Sequence, residues 1–283
     1  MELSSAVPMN RAVSRRMLGV AAGLLAVGWP ASRRASAAPA HAVPPRSVTP
    51  VDERRLRALF GSENRVIATR ERVVAVTFNA AWNEAGLGRI LAELARRRAP
   101  ATFFPTGDFA DRHPKAVKRI AAAGHGLGNH SYSHPYFKDL TAAGQRREVR
   151  AADRALRRAG AGTALTPFFR FPYSETAPAL IREVNKLGFA DIEFTADTNG
   201  WQGTQGGMTV DRAVRRAVDA LRPGAILQMH VGASQGRTDV LDARALPRIL
   251  DAVTERGYRV IDLRAIVTPS APRRPRTALS GGA

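Results

Sequence analysis

The sequence predicts an α/β fold in which about seven parallel strands form a closed or incomplete (β/α) barrel as a single domain. Three observations predict it. Short apolar runs alternate with helical patterns along most of the chain, which is the order expected of a parallel sheet. The length of 283 residues suits one such barrel. Unusual polar residues also follow several predicted strands, at the end of the strands that carries the reactive residues in (β/α) barrels.

Strands are predicted at short apolar runs, most of them rich in β-branched or aromatic residues. These runs cover residues 73–78, 101–104, 126–129, 167–171, 190–195, 225–230 and 258–263. Helices are predicted where apolar residues recur every three or four positions. They cover residues 53–60, 87–98, 114–123, 142–158, 179–187, 210–221 and 242–255. Pro114 suits the first position of its helix and Gly188 suits the residue after a helix end, so both support these boundaries.

The composition limits the possible chemistry. The chain has no cysteine, which excludes disulfides and thiolate metal sites. Any metal must therefore be bound by His, Asp, Glu or backbone oxygen, a ligand set that suits zinc or another divalent first-row metal. The net charge of +19 at pH 7 can attract anionic polymers. Because no basic cluster is interleaved with aromatic residues and no helix-turn-helix pattern is present, we expect no nucleic-acid partner.

The N-terminal residues resemble an export signal of the twin-arginine type. Arg15 and Arg16 precede an apolar run over residues 17–31, and Ala35-Ser36-Ala37 forms a small-residue cleavage site. The run is shorter than the roughly 20 residues that span a bilayer, which favours a cleaved signal over an uncleaved membrane anchor. We therefore expect a secreted or cell-envelope protein with no stable membrane span after cleavage. The expected segments are an export signal, a flexible linker, the barrel and a disordered tail, over residues 1–37, 38–52, 53–267 and 268–283.

Two histidines, His130 and His134, follow the third predicted strand. On an extended strand these positions would lie about 13 Å apart, whereas on a helical turn their Cβ atoms would lie about 5–6 Å apart. The two rings can share one metal ion only if the chain leaves the strand near Asn129 and turns at once, since a zinc–nitrogen bond is about 2.0–2.1 Å long. The alternative is a polar loop with two exposed histidines.

Polar residues follow five of the predicted strands. They are Asn79, His130, Arg170, Asp197 and His230. Because the carboxyl ends of parallel strands meet at one face of a barrel, these positions favour one shared site at the barrel mouth. Each residue alone has a structural alternative, such as a turn cap for Asp197, an ion pair for Arg170 or a buried, hydrogen-bonded ring for His230.

Several ordered motifs stand at these strand ends. They are His130-Ser131-Tyr132-Ser133-His134, Arg170-Phe171-Pro172-Tyr173, Asp197-Thr198-Asn199-Gly200-Trp201 and a last motif that ends at His230. With them, the region from about Val73 to Leu263 resembles the polysaccharide deacetylase family, also called the NodB-homology domain or carbohydrate esterase family 4. The resemblance implies a distorted (β/α) barrel and a metal-dependent hydrolase of acetyl groups on a polysaccharide. The metal expected is zinc, with cobalt or nickel as alternatives.

The resemblance implies a role for the metal and base residues. His130 and His134 would bind the metal, which lowers the pKa of its water and polarises the amide carbonyl. A carboxylate would then take the water proton, and Arg170 would orient that base.

The resemblance also implies the groups on the leaving side of the site. His230 would be the general acid that protonates the sugar amine, and Asp197 would orient it and favour its protonated form. The backbone N–H of Tyr173, next to Pro172, would help to hold the oxyanion. Trp201 would line the acetyl pocket.

The sequence departs from the family in two places. The first family motif, usually Thr-Phe-Asp-Asp, is Thr77-Phe78-Asn79-Ala80 here. In the family the first Asp is the base and the second is a metal ligand, but an amide cannot accept the water proton as a carboxylate does, and alanine cannot bind metal. Gln228 stands where the family usually has a leucine in the acetyl pocket, which indicates a widened or re-tuned pocket.

Three interpretations remain open. The chain is a deacetylase with a rebuilt site, a non-catalytic relative that binds sugar at the cell wall, or a hydrolase of another non-peptide C–N bond with the same metal pair. In the first, Glu84 on the loop after Asn79 would supply the missing carboxylate; its alternative is a solvated acid in the first turn of a helix. Retention of Arg170, Asp197 and His230 favours the catalytic interpretations. The expected substrate is an acetylated polysaccharide, peptidoglycan or chitin-like, and the expected form is a monomer.

Overall fold

The sheet is a curled layer of parallel strands. The computed structural model describes residues 51–233 and 239–269, and these belong to one compact unit. Their strands are β1 (Val73–Ala80), β2 (Thr102–Pro105), β3 (Gly126–Asn129), β4 (Leu165–Phe169), β5 (Ala190–Asp191), β6 (Ala196–Asp197), β7 (Ala225–His230) and β8 (Arg259–Ile261). Paired strands are parallel and follow the order β5-β4-β3-β2-β1-β7-β6, with β8 paired to the start of β1. The predicted distorted (β/α) barrel is thereby confirmed.

Helices cover the outside of this sheet. They are α1 (Glu53–Arg57), α2 (Leu87–Arg97), α3 (Gly107–Arg112), α4 (Pro114–Ala122), α5 (Ala142–Arg158), α6 (Pro178–Asn185), α7 (Val210–Asp219) and α8 (Leu241–Glu255). Successive side chains of a strand point to opposite faces, so Val74, Val76 and Phe78 pack among helix residues while Ala75 packs with Phe168 in the barrel interior. No helix in residues 51–233 and 239–269 combines the length and apolar character needed to cross a membrane.

A short segment before β1 fills the gap between β5 and β7. Asn64 forms a parallel bridge to Ile192, and the nearby chain forms an antiparallel bridge to Ala225. Ile67 N–H then donates to Gly224 O at 2.8 Å. Gly224 has a φ of +78°, and a Cβ there would overlap the Ile67 carbonyl. Glycine is therefore required where this segment closes the barrel.

The fifth predicted strand is wrong in its extent. The strand that begins at Ala190 ends at Asp191, and a second strand, β6, begins only at Ala196, because the backbone between them changes partners. Ile192 N–H donates to Phe169 O, whereas Thr195 N–H donates to Ile226 O. The backbone here thus stops pairing with β4 and begins to pair with β7. A run of apolar residues carries no signal for such a change of partner.

Helix α3 is absent from the sequence prediction. Thr106 accepts a hydrogen bond from Phe109 N–H at its start, and this N-cap residue was the available signal. The export signal, nearly all of the linker and most of the tail lie outside the described residues. At the start of the described part, Asp52 accepts hydrogen bonds from two backbone N–H groups and caps α1.

The side chain of Asp262, directly after β8, links the end of β8 to the starts of β2 and β3. Its buried carboxylate accepts hydrogen bonds from Gly126 N–H at 2.8 Å and from Thr102 Oγ1 at 3.2 Å. We expect Asp262→Ala to lower the free energy of unfolding by about 2 kcal/mol, because it leaves the buried Thr102 hydroxyl without its acceptor and removes a charged acceptor from Gly126 N–H, which keeps only its bond to Ala101 O. Urea denaturation followed by circular dichroism measures the change. The control is Asp251→Ala, since that half-exposed carboxylate pairs with Arg97 at the surface and its loss should cost less than about 1 kcal/mol. Equal losses in both variants would contradict the role given to Asp262.

Candidate active site

The barrel mouth collects most of the predicted site residues. In the sheet register Asn79 lies beside His230 and Asp197 lies beside Gln228. A cavity of about 310 Å³ opens at these strand ends. Its lining includes Asn79, Trp82, His130, His134, Tyr173, Asp197, Trp201, Gln228 and His230. Arg170 and Pro172 are buried behind this lining.

A tight turn after β3 brings the two predicted metal ligands together. The ring centroids of His130 and His134 are 4.8 Å apart. Ser131 and His134 have φ values of +63° and +60°, and Ser131 Oγ accepts a hydrogen bond from His134 N–H at 3.1 Å. The Asn129 side chain supports the turn, because its Oδ1 accepts from Ser131 N–H at 3.0 Å. The chain therefore leaves the strand at Asn129, as a shared metal site requires.

Both rings are in the protonation state that binds metal. His130 is buried, and its Nδ1–H donates to the Arg170 carbonyl at 2.9 Å, so Nε2 carries the free lone pair. That Nε2 atom is buried without a hydrogen-bond partner. Burial lowers the pKa of His130 well below its ordinary value and lowers the pKa of His134 to about 4. Both imidazoles are thus neutral at pH 7.

These two imidazoles fit part of a metal site. A buried, unpartnered Nε2 beside a second neutral ring is what a divalent first-row metal takes as ligands. Catalytic zinc sites typically have three protein ligands. Within residues 51–233 and 239–269, no group of three or more His, Asp or Glu side chains is placed to hold a metal. His130 and His134 would therefore hold the metal with only two protein ligands, a weaker set than usual.

Arg170 is fully buried behind the His130 and His134 rings. Its Nη1 donates to Asn79 Oδ1 and to Thr77 Oγ1, both at 3.0 Å, and its Nε donates to Ile192 O at 2.9 Å. The guanidinium also lies 4.1 Å from the centroid of the Phe104 ring. Burial lowers the pKa of Arg170 to about 10, so the group remains cationic at pH 7. The Asn79 oxygen is therefore committed to Arg170.

The two departures from the family sequence are joined by hydrogen bonds. Asn79 Nδ2 donates to Gln228 Oε1 at 3.2 Å, and Gln228 Nε2 donates to Asp197 Oδ2 at 3.0 Å. An amide at position 79 needs an acceptor for its NH₂ group, and a leucine at position 228 would offer none. The chain of bonds from Asn79 through Gln228 to Asp197 explains why the two replacements occur together.

Two further buried acids lie beside Arg170. Glu193 Oε1 accepts from Phe171 N–H at 3.0 Å, and the neighbouring Asp191 is also fully buried. Burial raises the pKa of both carboxyls, and the Glu193 charge adds to the rise at Asp191. With a neutral residue at position 79, interaction with these acids raises the pKa of Arg170 and partly offsets the effect of its burial. No sequence motif pointed to them.

Two carboxylates lie close to the His230 ring. Its Nδ1 lies 3.2 Å from Asp242 Oδ2 and 3.8 Å from Asp197 Oδ1. Burial lowers the pKa of His230, but the charges of Asp197 and Asp242 outweigh burial, and the pKa is raised above its ordinary value. The predicted orienting residue, Asp197, is therefore accompanied by an acid that the motifs did not include. The only available signal for Asp242 was an acidic residue in the first turn of α8.

Aromatic rings surround the His130–His134 pair and His230. The Trp82 and Trp201 centroids are 5.9 Å apart, and Trp201 lies 6.3 Å from the His230 ring. At the rim, Tyr173 stacks on Tyr136 with centroids 4.0 Å apart and 12° between planes. Tyr173 has a φ of +60°. This turn holds the tyrosine at the cavity edge, where it is about half exposed.

Glu84 is not brought into the cavity. Its carboxylate lies 3.7 Å from His113 Nδ1 and is 42% exposed. On the loop after β1 it is Trp82, not Glu84, that lines the cavity. Arg112 Nη1 donates to the Trp82 carbonyl at 2.7 Å. This placement argues against Glu84 as the missing carboxylate and agrees with a solvated acid near a helix start.

Comparison with known proteins finds polysaccharide deacetylases among the relatives of this chain. A family model described as polysaccharide deacetylase matches residues 67–192. The chain is 32% identical over 197 residues to a chitooligosaccharide deacetylase of Bradyrhizobium sp. (strain ANU 289), which covers 67% of this chain and 88% of that protein. It is 29% identical over 204 residues to a peptidoglycan-N-acetylglucosamine deacetylase of Bacillus cereus, which covers 71% of this chain and 70% of that protein.

One similar solved structure is a pseudoenzyme. It is a member of carbohydrate esterase family 4 from Bacillus anthracis, with a TM-score of 0.62, 26% identity, and coverage of 70% of this chain and 66% of that chain. A mutant of that protein is described as having restored enzymatic activity.

A curled (β/α) barrel with paired imidazoles and a carboxylate-held histidine at its mouth has the groups of a hydrolase site. The chain belongs to the polysaccharide deacetylase family, whose enzymes hydrolyse carbon–nitrogen bonds other than peptide bonds and depend in general on a divalent metal.

Proposed function

We propose that this chain removes acetyl groups from the amino sugars of a cell-envelope polysaccharide, with zinc as the metal and cobalt or nickel as substitutes. One arrangement carries the proposal. The buried, unpartnered Nε2 of His130 belongs to the same cavity as His230, whose ring is held by carboxylates. The first group suits a metal ligand, and the second suits a proton donor to a leaving amine.

The chain's own residues supply the positioning and the proton. When held by His130 and His134, a divalent metal supplies polarisation of the scissile carbonyl and a more acidic water. His230, whose protonated form is favoured by its carboxylate partners, donates a proton to the leaving amine from the ring nitrogen that faces the cavity. Since Asn79 accepts no proton, we expect turnover about a hundredfold or more below that of a site with a carboxylate base.

The substrate class rests on the relatives and on charge. Those relatives act, by their names, on chitooligosaccharides and on peptidoglycan, which supports an N-acetylated glycan as the substrate of this chain. The net charge of +19 supports attraction to an anionic envelope polymer. The twin-arginine pattern at Arg15 and Arg16 supports export to the envelope or beyond.

A second candidate function is glycan binding without turnover. It is favoured by the replacement of both first-motif acids, since Asn79 is bonded to Arg170 and Gln228 and Ala80 offers no ligand. The similarity to the Bacillus anthracis pseudoenzyme supports it as well. In this case the aromatic rings would still bind sugar, while His230 would have no leaving amine to protonate.

Acetate release separates the two candidates. The full chain is incubated with N-acetylglucosamine oligomers and with peptidoglycan fragments, with added zinc or with chelator, and acetate is measured over time. Chelator-sensitive release that His230→Ala removes would establish the deacetylase. Saturable binding of the same glycans by calorimetry, with no acetate above the His230→Ala background, would establish the binding protein.

The tyrosine platform, formed by Tyr136 and Tyr173 at the cavity rim, is expected to hold a sugar ring next to the acetyl site. Lys138 Nζ lies 5.4 Å from the centroid of the Tyr136 ring, and that ring is 44% exposed. We expect Tyr136→Ala to raise KM about three- to tenfold with kcat within about twofold, because stacking on an aromatic ring contributes about 0.5–1.5 kcal/mol. The same variant should weaken glycan binding if no turnover occurs. Tyr136→Phe is the control, and a KM as high as that of Tyr136→Ala would show that stacking is not involved.

A further inference from the structure

Asp242 contacts His230 more closely than the predicted partner does. Its side chain lies in the first turn of α8 and is wholly buried. Oδ2 accepts from the backbone N–H of His230 at 2.7 Å and from its Nδ1 at 3.2 Å. Oδ1 accepts from Thr198 Oγ1 at 2.6 Å. The carboxylate is therefore fixed from both sides.

Asp197 is occupied elsewhere. Its Oδ1 accepts from Asn199 N–H at 2.7 Å, and its Oδ2 accepts from Gln228 Nε2 at 3.0 Å. The remaining approach to His230 Nδ1 is 3.8 Å, which is beyond hydrogen-bond distance. Asp197 acts on the ring through its charge, not through a directed bond.

We propose that Asp242, from α8, is the positioning residue that fixes the Nδ1–H tautomer and the orientation of His230, while Asp197 anchors the chain of amides that runs to Asn79. The inference rests on the proposed function for its catalytic consequence. Its structural content, the tautomer and the ring orientation, stands without turnover.

Gly200 shows that the local fold is built around this carboxylate. A Cβ at position 200 would overlap the carboxylate of Asp242. Gly200 is buried and has no positive φ, so the backbone itself would accept a side chain there. The absence of a side chain at position 200 is what leaves room for Asp242 to reach His230.

Several other charged or titratable groups face His230. Asp197 stands on β6 and Arg170 follows β4, and the imidazoles of His130 and His134 lie across the cavity. A change in the titration of His230 alone would therefore not identify its partner. The tautomer of His230 does identify its partner, because only a group that accepts a hydrogen bond from Nδ1 selects the Nδ1–H form.

The first test is ¹⁵N NMR of the histidine rings in the full chain, at a pH at which His230 is neutral, because the imidazolium carries a proton on both nitrogens and has no tautomers. The matched variants are Asp242→Ala and Asp197→Ala, which each remove one carboxylate from the same ring. We expect Asp242→Ala to convert His230 from the Nδ1–H form to a mixture of tautomers and Asp197→Ala to leave the Nδ1–H form in place. A tautomer that changes in Asp197→Ala and not in Asp242→Ala would overturn the proposal. This readout decides the matter even where no acetate is released.

A second variant covers loss of folding in Asp242→Ala. Asp242→Asn keeps an oxygen toward His230 and removes the charge. We expect it to retain the Nδ1–H tautomer and to move the alkaline limb of the acetate-release profile to lower pH, since less negative charge then supports the imidazolium. A change of tautomer in Asp197→Ala would refute the assignment regardless of how the Asp242 variants fold.

Relocation of the carboxylate is the sharpest test. In Asp242→Ala the space beside position 200 is free, so adding Gly200→Asp should return the carboxylate to His230. We expect Asp242→Ala to lower kcat for acetate release at least about tenfold with KM unchanged, and the double variant to recover most of this loss and the Nδ1–H tautomer. Gly200→Asp alone should be harmful, because its side chain overlaps Asp242. A double variant no better than Asp242→Ala in both readouts would refute the positioning role.

Discussion

Replacing Asn79 and Ala80 together with aspartate is expected to raise the rate of acetate release about 10²- to 10⁴-fold, which is the usual contribution of a general base. Arg170 Nη1 already lies 3.0 Å from Asn79 Oδ1 and would pair with the new carboxylate. The guanidinium charge would hold the pKa of the carboxyl introduced at position 79 low and keep it ionised, ready to take a proton from water. The family motif carries a metal ligand at position 80, but Ala80 is wholly buried in the cluster that packs against the helices and does not line the cavity, so an acid introduced there must reorient to become the third ligand.

Gln228 decides whether this substitution is enough. Gln228 Oε1 now faces the NH₂ group of Asn79, at 3.2 Å. A carboxylate at position 79 would place oxygen against oxygen, and a flip of the Gln228 amide to avoid this would break its bond to Asp197. We therefore expect the triple variant with Gln228→Leu to exceed the double variant in rate. The physical reason is that Gln228→Leu removes a buried amide oxygen that would have no hydrogen-bond donor opposite it once position 79 carries a carboxylate.

The measurement is acetate release from N-acetylglucosamine oligomers at saturating zinc, with metal affinity determined in parallel by calorimetry. The control is Asn83→Asp with Ala85→Asp, which adds the same charge to the next loop, outside the Asn79–Arg170 contact. A rate that rises equally in this control would mean that net charge and not the rebuilt base is responsible. A rate that rises in neither, with zinc bound and the fold intact, would contradict the geometry assigned to Arg170.

The positions of most strands along the chain could be predicted from the sequence, because each short apolar run is a local pattern. The split between β5 and β6 could not, since it depends on which neighbour accepts the backbone N–H groups of Ile192 and Thr195. Helix α3 was missed because its six residues are too few to show a helical period, although Thr106 marks its start.

The site shows the same division. His130 and His134 could be paired from their spacing, because a turn is the only way to bring them together. Asp242 could not be assigned, since its partner His230 lies twelve positions earlier and the contact depends on how α8 packs against β7. The link between Asn79 and Gln228 was equally hidden, because it depends on the register of β1 against β7. Only the structure shows that the two departures from the family compensate each other.

Replacing His130 with alanine is expected to lower zinc affinity at least about a hundredfold, since loss of even an outer-shell partner of a metal ligand costs about 10- to 100-fold. The effect is large because His130 is one of only two side chains that would hold the metal, and within the described part of the chain no further acid or histidine completes a group of three metal ligands with them. Metal content after dialysis, measured by elemental analysis, reports the change. Zinc content equal to that of the wild-type chain would contradict the metal site itself, whatever the activity.

The dependence of zinc binding on pH gives the same site a second test. Burial lowers the pKa of His134 to about 4 and that of His130 well below its ordinary value. A histidine must be neutral to bind metal, and a lowered pKa extends the neutral form to more acidic solution. Zinc binding should therefore persist at pH 5, where exposed histidines are protonated, and fall as the pH approaches 4. His113→Ala is the matched control, because that ring faces Glu84 outside the cavity and its loss should leave both zinc content and this pH profile unchanged.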